Sequence, residues 1–373
     1  MTVTGRMDRA GLYAHVPFCV TRCGYCDFNA YAGMGHLAEA YVDALMSEAD
    51  LVADGWEGTA FVSVFFGGGT PTTLGPDVLG RILDHLRARF HVAEDAEVTV
   101  EANPDTVSER SLAALRRAGV NRLSLGVQSF DPSVLRALER VHPASSARRA
   151  YREARAAGFE DVNLDLIYGA RGEGLDSWSR TVEEAAVLRP EHLSCYALTV
   201  EPNTPLGRRV AEGLEAPPDS DLQADMYEVA CRVLGAEGYR HYEVSNWALP
   251  AHECLHNLGY WEGRPYLGLG AGAHSHRAGS RWWNVRPPGR YVEMAGSGMP
   301  PTGGSERLHP DQDRLERLLL GLRQAGGVPA AEAPPDVLAG LVDQGMGRLE
   351  GERLVLTERG WLLANEVLLD LAR

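Results

Sequence analysis

No lysine occurs anywhere in the 373 residues; all 36 positions counted as Lys or Arg are arginine. That excludes chemistry needing a side-chain primary amine, such as a Schiff base with pyridoxal phosphate or an aldol substrate. It also excludes a complete P-loop, which requires Gly-Lys-Ser/Thr. Positive charge is short overall: 51 acidic side chains leave a net charge of −15. Nucleic-acid binding needs clustered positive charge, so no nucleic-acid partner is expected. No apolar run reaches about 18 residues, so no membrane span is expected, and Met1–Ala10 lacks the apolar core of an export signal. Cysteine is scarce as well, with six in the chain. A chain this long needs no disulfide staple, and thiols kept free fit a reducing, cytoplasmic location. The rest is ordinary globular composition, 45% hydrophobic and 23% charged.

Three of the six cysteines stand close together in His15-Val16-Pro17-Phe18-Cys19-Val20-Thr21-Arg22-Cys23-Gly24-Tyr25-Cys26. A 4Fe-4S cube normally takes four thiolates. Three would leave one iron open to a small-molecule ligand. A structural zinc site needs four closed ligands, for which His15 is the available fourth. Cys195, Cys231 and Cys254 are single; Cys231 reads as a small apolar helix residue and Cys195 as a strand residue.

Along the chain, β-branched runs alternate with helical periodicity. Strands are predicted at 12–15, 60–66, 97–101, 122–126, 161–167, 192–198 and 240–244. Helices are predicted at 37–53, 76–89, 108–118, 132–139, 145–157, 175–188 and 219–237. Strands separated by helices imply parallel pairing through right-handed crossovers. Six or seven such units predict an α/β fold, a full barrel or a partial (β/α)6-type barrel over residues 1–245, with chemistry on the loops at the C-terminal strand ends. The cysteine loop follows the first strand and is placed accordingly. Residues 246–304, rich in Gly, Trp and Pro, show no periodicity and read as an irregular extension. Residues 305–373 give helices at 307–323, 335–344 and 358–371 and a hairpin of 348–350 with 354–356, a winged-helix-like α+β module. Its many acids (Glu332, Asp336, Asp343, Glu350 among them) favour a structural or protein-contact role over DNA binding.

Polar residues recur at the strand ends. Gly67-Gly68-Gly69-Thr70 follows the second strand; bare backbone there lets a ligand approach, and its N–H groups could bond a carboxylate. Glu101 ends the next strand and could accept from a ribose or an ammonium; a solvated or capping role is the alternative. Gln128 ends another and could touch a polar ligand or solvent. Asp165 lies inside a hydrophobic strand, where an unpaired carboxylate is costly, so it needs a partner; Arg140 is one candidate. Together these predict a ring around the cysteine loop.

The cysteine triple resembles the radical S-adenosylmethionine (SAM) signature, and Gly67–Pro71 resembles that superfamily's methionine-contacting loop. Further strings, Glu101-Ala102-Asn103-Pro104, Leu125-Gly126-Val127-Gln128-Ser129-Phe130, Tyr242-Glu243-Val244-Ser245-Asn246, His256-Asn257-Leu258-Gly259-Tyr260-Trp261 and Gly268–Ser275, are similar to the HemN/HemW family of oxygen-independent coproporphyrinogen III oxidase-like proteins. The resemblance runs from Leu12 into the C-terminal module. It implies a 4Fe-4S cluster on Cys19, Cys23 and Cys26, with SAM chelating the open iron and electron transfer cleaving a C–S bond to give a 5′-deoxyadenosyl radical. It implies SAM contacts from Tyr13, Gly68 and Glu101. Tyr25, Gly69, Thr70, Gln128, Arg140 and Asp165 resemble positions that hold SAM, or a second SAM, in the oxidase. True oxidases carry a further cysteine two residues after the third, whereas this chain has Phe28. That difference and the His-Asn-x-x-Tyr-Trp string resemble the haem-chaperone, HemW-like branch, which implies haem binding, with His256 or its rival Cys254 as candidate ligand. It also implies a haem-acceptor protein and an electron donor such as a flavodoxin or ferredoxin. The alternative is a radical SAM enzyme of porphyrin biosynthesis or another radical reaction; coproporphyrinogen oxidase activity is not expected with Phe at 28. One departure is Gly169-Ala170-Arg171, where the family usually has Gly-Leu-Pro.

Overall fold

The computed structural model describes residues 8–364 and 366–367. Most of Met1–Ala10, and the stretch of the last expected helix beyond 367, lie outside the described residues. In chain order the elements are β1 (Asp8–Val16), α1 (Ala38–Val52), β2 (Thr59–Gly68), α2 (Pro76–Arg89), β3 (Val92–Ala102), α3 (Glu109–Arg117) and β4 (Arg122–Gln128). There follow α4 (Ala144–Ala156), β5 (Asp161–Tyr168), α5 (Leu175–Leu188), β6 (His192–Ala197), α6 (Ser220–Ala236), β7 (Arg240–Glu243), β8 (Asn246–Ala248), α7 (Leu255–Trp261) and β9 (Tyr266–Leu269). The chain continues through β10 (His274–Arg277), β11 (Ser280–Asn284), α8 (Pro288–Gly296), β12 (Thr302–Arg307), α9 (Pro310–Gly321), β13 (Val328–Pro329), α10 (Pro335–Asp343), β14 (Gly347–Glu350), β15 (Arg353–Leu356) and α11 (Glu358–Leu362).

One twelve-stranded sheet runs β12-β11-β10-β9-β1-β2-β3-β4-β5-β6-β8-β7. The stretch from β9 to β6 is parallel. It forms the partial barrel of the radical SAM fold. Strand boundaries follow the alternation of the sequence. In β4 and β5, Leu123, Leu125, Val162 and Leu164 face the helices and are buried with them, while Ser124 and Asn163 pair across the strands on the inner face. Helix starts follow local chemistry: Pro76 opens α2 after Gly75 at φ 80°, and Ser108 caps α3 in a reciprocal box with Ser111.

Two expectations change. The strand predicted at 240–244 does not continue the parallel set: β7 runs antiparallel to β8, which runs antiparallel to β6. Residues 246–304 are not irregular. They supply β8 to β11, α7, α8 and the start of β12, and β9 lies parallel beside β1 as the seventh parallel strand. The strand is four residues long and interrupted by glycine, so it carries no readable period. Gly268 is required there: a Cβ on it would sit 2.1 Å from the His274 carbonyl oxygen.

A buried carboxyl ties this segment to the barrel. Glu48 of α1 accepts from Gly270 N–H (2.8 Å), Asn284 Nδ2 (2.6 Å) and the Tyr291 hydroxyl (2.6 Å). Burial raises its pKa to about 7 against those three bonds. Tyr41 of the same helix donates to the His15 carbonyl and accepts from Ala271 N–H. After β12 come α9, α10 and the three-stranded sheet β13-β15-β14, with α11 capped by Thr357, in a winged-helix-like arrangement.

Candidate functional site

The loop after β1 places Cys19, Cys23 and Cys26, all half-buried and unpaired by disulfides. The glycine run after β2 is stitched directly onto it: Gly69 N–H donates to Val16 O (2.8 Å) and Thr70 N–H to Phe18 O (2.8 Å). Gly68 N–H donates to Glu101 Oε2 (3.1 Å). These amides are therefore occupied, contrary to the expectation that they await a ligand carboxylate. The glycines serve close approach instead. A Cβ on Gly69 would lie 2.6 Å from Phe18 O, and one on Gly68, at φ +112°, 2.4 Å from the His15 ring. His15 itself is buried, with Nδ1 bonded to the Tyr13 hydroxyl and Nε2 to Asn29 O, so neither nitrogen is free for a metal.

A cavity of about 460 Å³ opens beside the thiols, lined by Cys19, Cys23, Cys26 and by the predicted strand-end residues Glu101, Gln128 and Asp165. Tyr25, Gly68, Gly69, Thr70 and Arg140 line it too. Tyr13 lines the neighbouring cavity instead. The parts are wired together. Thr70 Oγ1 lies 3.7 Å from Cys19 Sγ and accepts from Asn103 Nδ2 (3.1 Å). Arg140 donates to Asn103 Oδ1 (2.6 Å), Gly126 O (3.0 Å) and Cys23 Sγ (3.5 Å). Burial raises the pKa of Cys19, partly offset by the Thr70 hydroxyl, and burial likewise raises that of Cys26. Three half-buried thiols without disulfides, lining one cavity together with polar side chains, fit a cluster with a small ligand on one iron.

Asp165 finds its partners in Ser124 (2.8 Å) and Asn163 (2.9 Å) rather than in Arg140, which was one candidate. Arg140 is committed to the Asn103–Cys23 side, and its charge acts on Asp165 only at longer range. Asn163 continues to His192 (2.7 Å), and His192 to the Tyr242 hydroxyl (2.8 Å), a polar chain down the barrel interior. Gln128 sits at φ 66° beyond a bulge, and its Oε1 is buried without a donor. Gln128 thus combines a strained backbone with a buried acceptor that no described residue satisfies. Asn103, Ser124 and Asn163 were not singled out from sequence. Only their place at or near strand ends could have pointed to them.

The two haem candidates lie elsewhere. Helix α7 packs against the inner side of β1 and β2 and is not on the cysteine loop. His256 is buried, Nδ1 bonded to Ser63 Oγ (2.9 Å) and Nε2 to Tyr260 OH (3.0 Å), with its ring stacked on Phe65. Burial lowers its pKa to about 3. Cys254 is buried, and its thiol donates to Glu97. A second cavity of about 580 Å³ adjoins the first and shares Phe28, Gly68 and Glu101 with it.

Glu101 gives a prediction. Burial, and after it the nearby Asp165 carboxylate, raise its pKa to about 8, with Gly68 N–H partly offsetting them. An unfolded glutamate ionises near 4.3. Between these values the folded state holds a proton that the unfolded state has lost, so stability falls as pH rises and levels off above about 8. Melting curves of the apoprotein from pH 5 to 9 should show that fall. In Glu101→Gln, which mimics the protonated acid, the slope should be shallower; an identical slope would contradict the assignment.

Comparison with known proteins agrees with the geometry. The model of the Radical SAM superfamily matches residues 13–185. "Heme chaperone HemW" of Mycobacterium tuberculosis (strain ATCC 25618 / H37Rv) is 45% identical over 363 residues, covering 96% of this chain and 93% of that protein. The protein of the same name from Bacillus subtilis (strain 168) is 35% identical, covering 95% and 97%. Among solved structures, coproporphyrinogen III oxidase (HemN) from Escherichia coli superposes with a TM-score of 0.83 at 25% identity, over 98% of this chain and 91% of that one.

Proposed function

Because this chain belongs to the HemW family of radical SAM proteins, we propose that it is a haem carrier that passes haem to an acceptor protein. In this reading Cys19, Cys23 and Cys26 hold a 4Fe-4S cluster, and SAM occupies the cavity beside it. When bound, cluster and SAM would supply an electron and a source of a carbon-centred radical. The chain's own residues do the placing. Thr70 and Arg140 direct a hydroxyl and a guanidinium at the sulfurs of Cys19 and Cys23. Glu101, Gln128 and Asp165 present acceptors to the cavity, Tyr25, Gly68 and Gly69 line it, and Tyr13 stands on the neighbouring cavity that shares Gly68 and Glu101 with it. A flavodoxin or ferredoxin is the proposed electron donor. No helix among the described residues is long and apolar enough to cross a membrane.

The observation that carries the carrier reading over an oxidase is Phe28. The side chain is 59% exposed and lines both cavities, with no sulfur where an oxidase has its further cysteine. The test is an anaerobic hemin titration of cluster-reconstituted protein, followed at the Soret band. A saturable shift near one haem per chain is expected. The same preparation, reduced and given SAM and coproporphyrinogen III, should release no CO2 from the propionates. Decarboxylation there, with no hemin saturation, would replace this reading by the enzymatic one.

A further inference from the structure

The second cavity has a composition that the cluster and SAM do not use. Tyr260, Tyr266, His274, Trp283 and Arg286 line it, drawn from α7, β9, β10, β11 and the turn after β11. Its volume of about 580 Å³ lies in the range of small-molecule sites, about 300–1,000 Å³. Two histidines line it. His15 is spent on Tyr13 and Asn29. His274 is exposed, and among the described residues neither of its ring nitrogens has a hydrogen-bond partner. Its ring lies at 25° to Trp283 with centroids 5.6 Å apart, which fixes one face and leaves the nitrogens accessible. The guanidinium of Arg286 likewise has no ion pair among the described residues. Arg281, by contrast, is committed to Glu306 and Glu316.

An aromatic-walled cavity holding one free imidazole and one free guanidinium matches a flat metallomacrocycle that carries carboxylates. The rings supply stacking surface, the imidazole an axial nitrogen, and the guanidinium a partner for a carboxylate. We propose that this cavity seats haem, with His274 as the axial ligand and Arg286 paired with a propionate. The inference rests on the haem-carrier reading above and gives it a site other than His256. His256 would have to surrender a bond to Ser63 or Tyr260 and leave the barrel interior to reach an iron. Burial lowers the pKa of His274, and Arg286 and Arg281 lower it further against Glu306, so the ring is neutral and its lone pair available at pH 7. The site also explains why the two cavities touch: a haem here lies next to the SAM cavity across Phe28 and Glu101.

The experiment compares hemin titrations of parent, His274→Ala, His256→Ala and Arg286→Met proteins, each loaded with cluster, by Soret absorption and electron paramagnetic resonance. In His274→Ala the imidazole-ligated spectrum should vanish and affinity should fall about tenfold or more, the equivalent of about 1.4 kcal/mol. Added imidazole should restore the spectrum, which a merely structural role would not allow. His256→Ala should keep the parent spectrum. Arg286→Met should weaken hemin about tenfold and leave hemin dimethyl ester, which lacks propionate charge, unchanged. A parent-like spectrum and affinity in His274→Ala would overturn the inference and leave the carrier reading standing. Equal weakening of hemin and its ester in Arg286→Met would overturn the propionate contact. Absence of saturable binding in the parent would overturn the carrier reading, and this site with it.

Discussion

Replacing Cys23 by alanine should leave a folded protein that retains no cluster. Iron should drop from about four atoms per chain to near zero, and the broad visible absorption of the cluster should disappear with it. The three thiols sit on a loop anchored from both sides, through Val16 O and Phe18 O to the glycine run and through Arg140 to Cys23 itself. Cys23→Ala loses the Arg140 contact to sulfur but keeps the two backbone bonds to the glycine run, so the thiol can be lost without loss of the fold. Arg140 keeps its bonds to Asn103 and Gly126 in the variant. Iron analysis with melting curves checks both halves. Full iron content in Cys23→Ala would mean that the triple is not the ligand set.

The largest expected effect on stability comes from Glu48→Ala. Three buried donors, Gly270 N–H, Asn284 Nδ2 and Tyr291 O–H, would lose their common acceptor, and each unsatisfied group costs about 1–3 kcal/mol. Asn284 keeps one bond, to Gly270 O. A net loss on the order of 3–5 kcal/mol is expected, read as a fall of roughly 10 °C in melting temperature. The same change loosens the wall of the second cavity, because Asn284 lines it. Hemin affinity should therefore fall with stability, while the cluster stays. Glu48→Gln should recover most of the loss, because its amide oxygen still accepts. A melting temperature within a degree of the parent would contradict the buried-clamp assignment.

The barrel was legible where apolar alternation and capping chemistry agree. β2, β4 and β5 follow from their buried runs, and α2 and α5 match residue for residue because Pro76 and a glycine turn mark their starts. The place of the cysteine loop after the first strand was legible from sequence. β9 was not, since Tyr266-Leu267-Gly268-Leu269 is too short and too glycine-rich to show a period, and its place beside β1 depends on a tertiary clamp at Glu48. The ring of Glu101, Gln128 and Asp165 was read correctly as a group because strand ends converge in this fold, but its pairing was not. Arg140 was one candidate partner of Asp165 by charge; geometry gives that role to two neutral side chains, Ser124 and Asn163. His256 drew attention through its motif. The structure places it inside the barrel, and of the two histidines that line the second cavity the one with no hydrogen-bond partner among the described residues is His274, which the sequence marks only as part of the Gly268–Ser275 string.

If haem is cargo, the protein binds it and releases it intact. Haem-loaded, cluster-containing protein, freed of unbound haem, is mixed anaerobically with excess apomyoglobin, with and without SAM and reductant, and the haem is accounted for by spectrum and mass. The account predicts full recovery of unaltered haem as holomyoglobin, with the cluster still on the donor. A porphyrin chemically changed in a SAM-dependent way, or haem that never leaves, would contradict it.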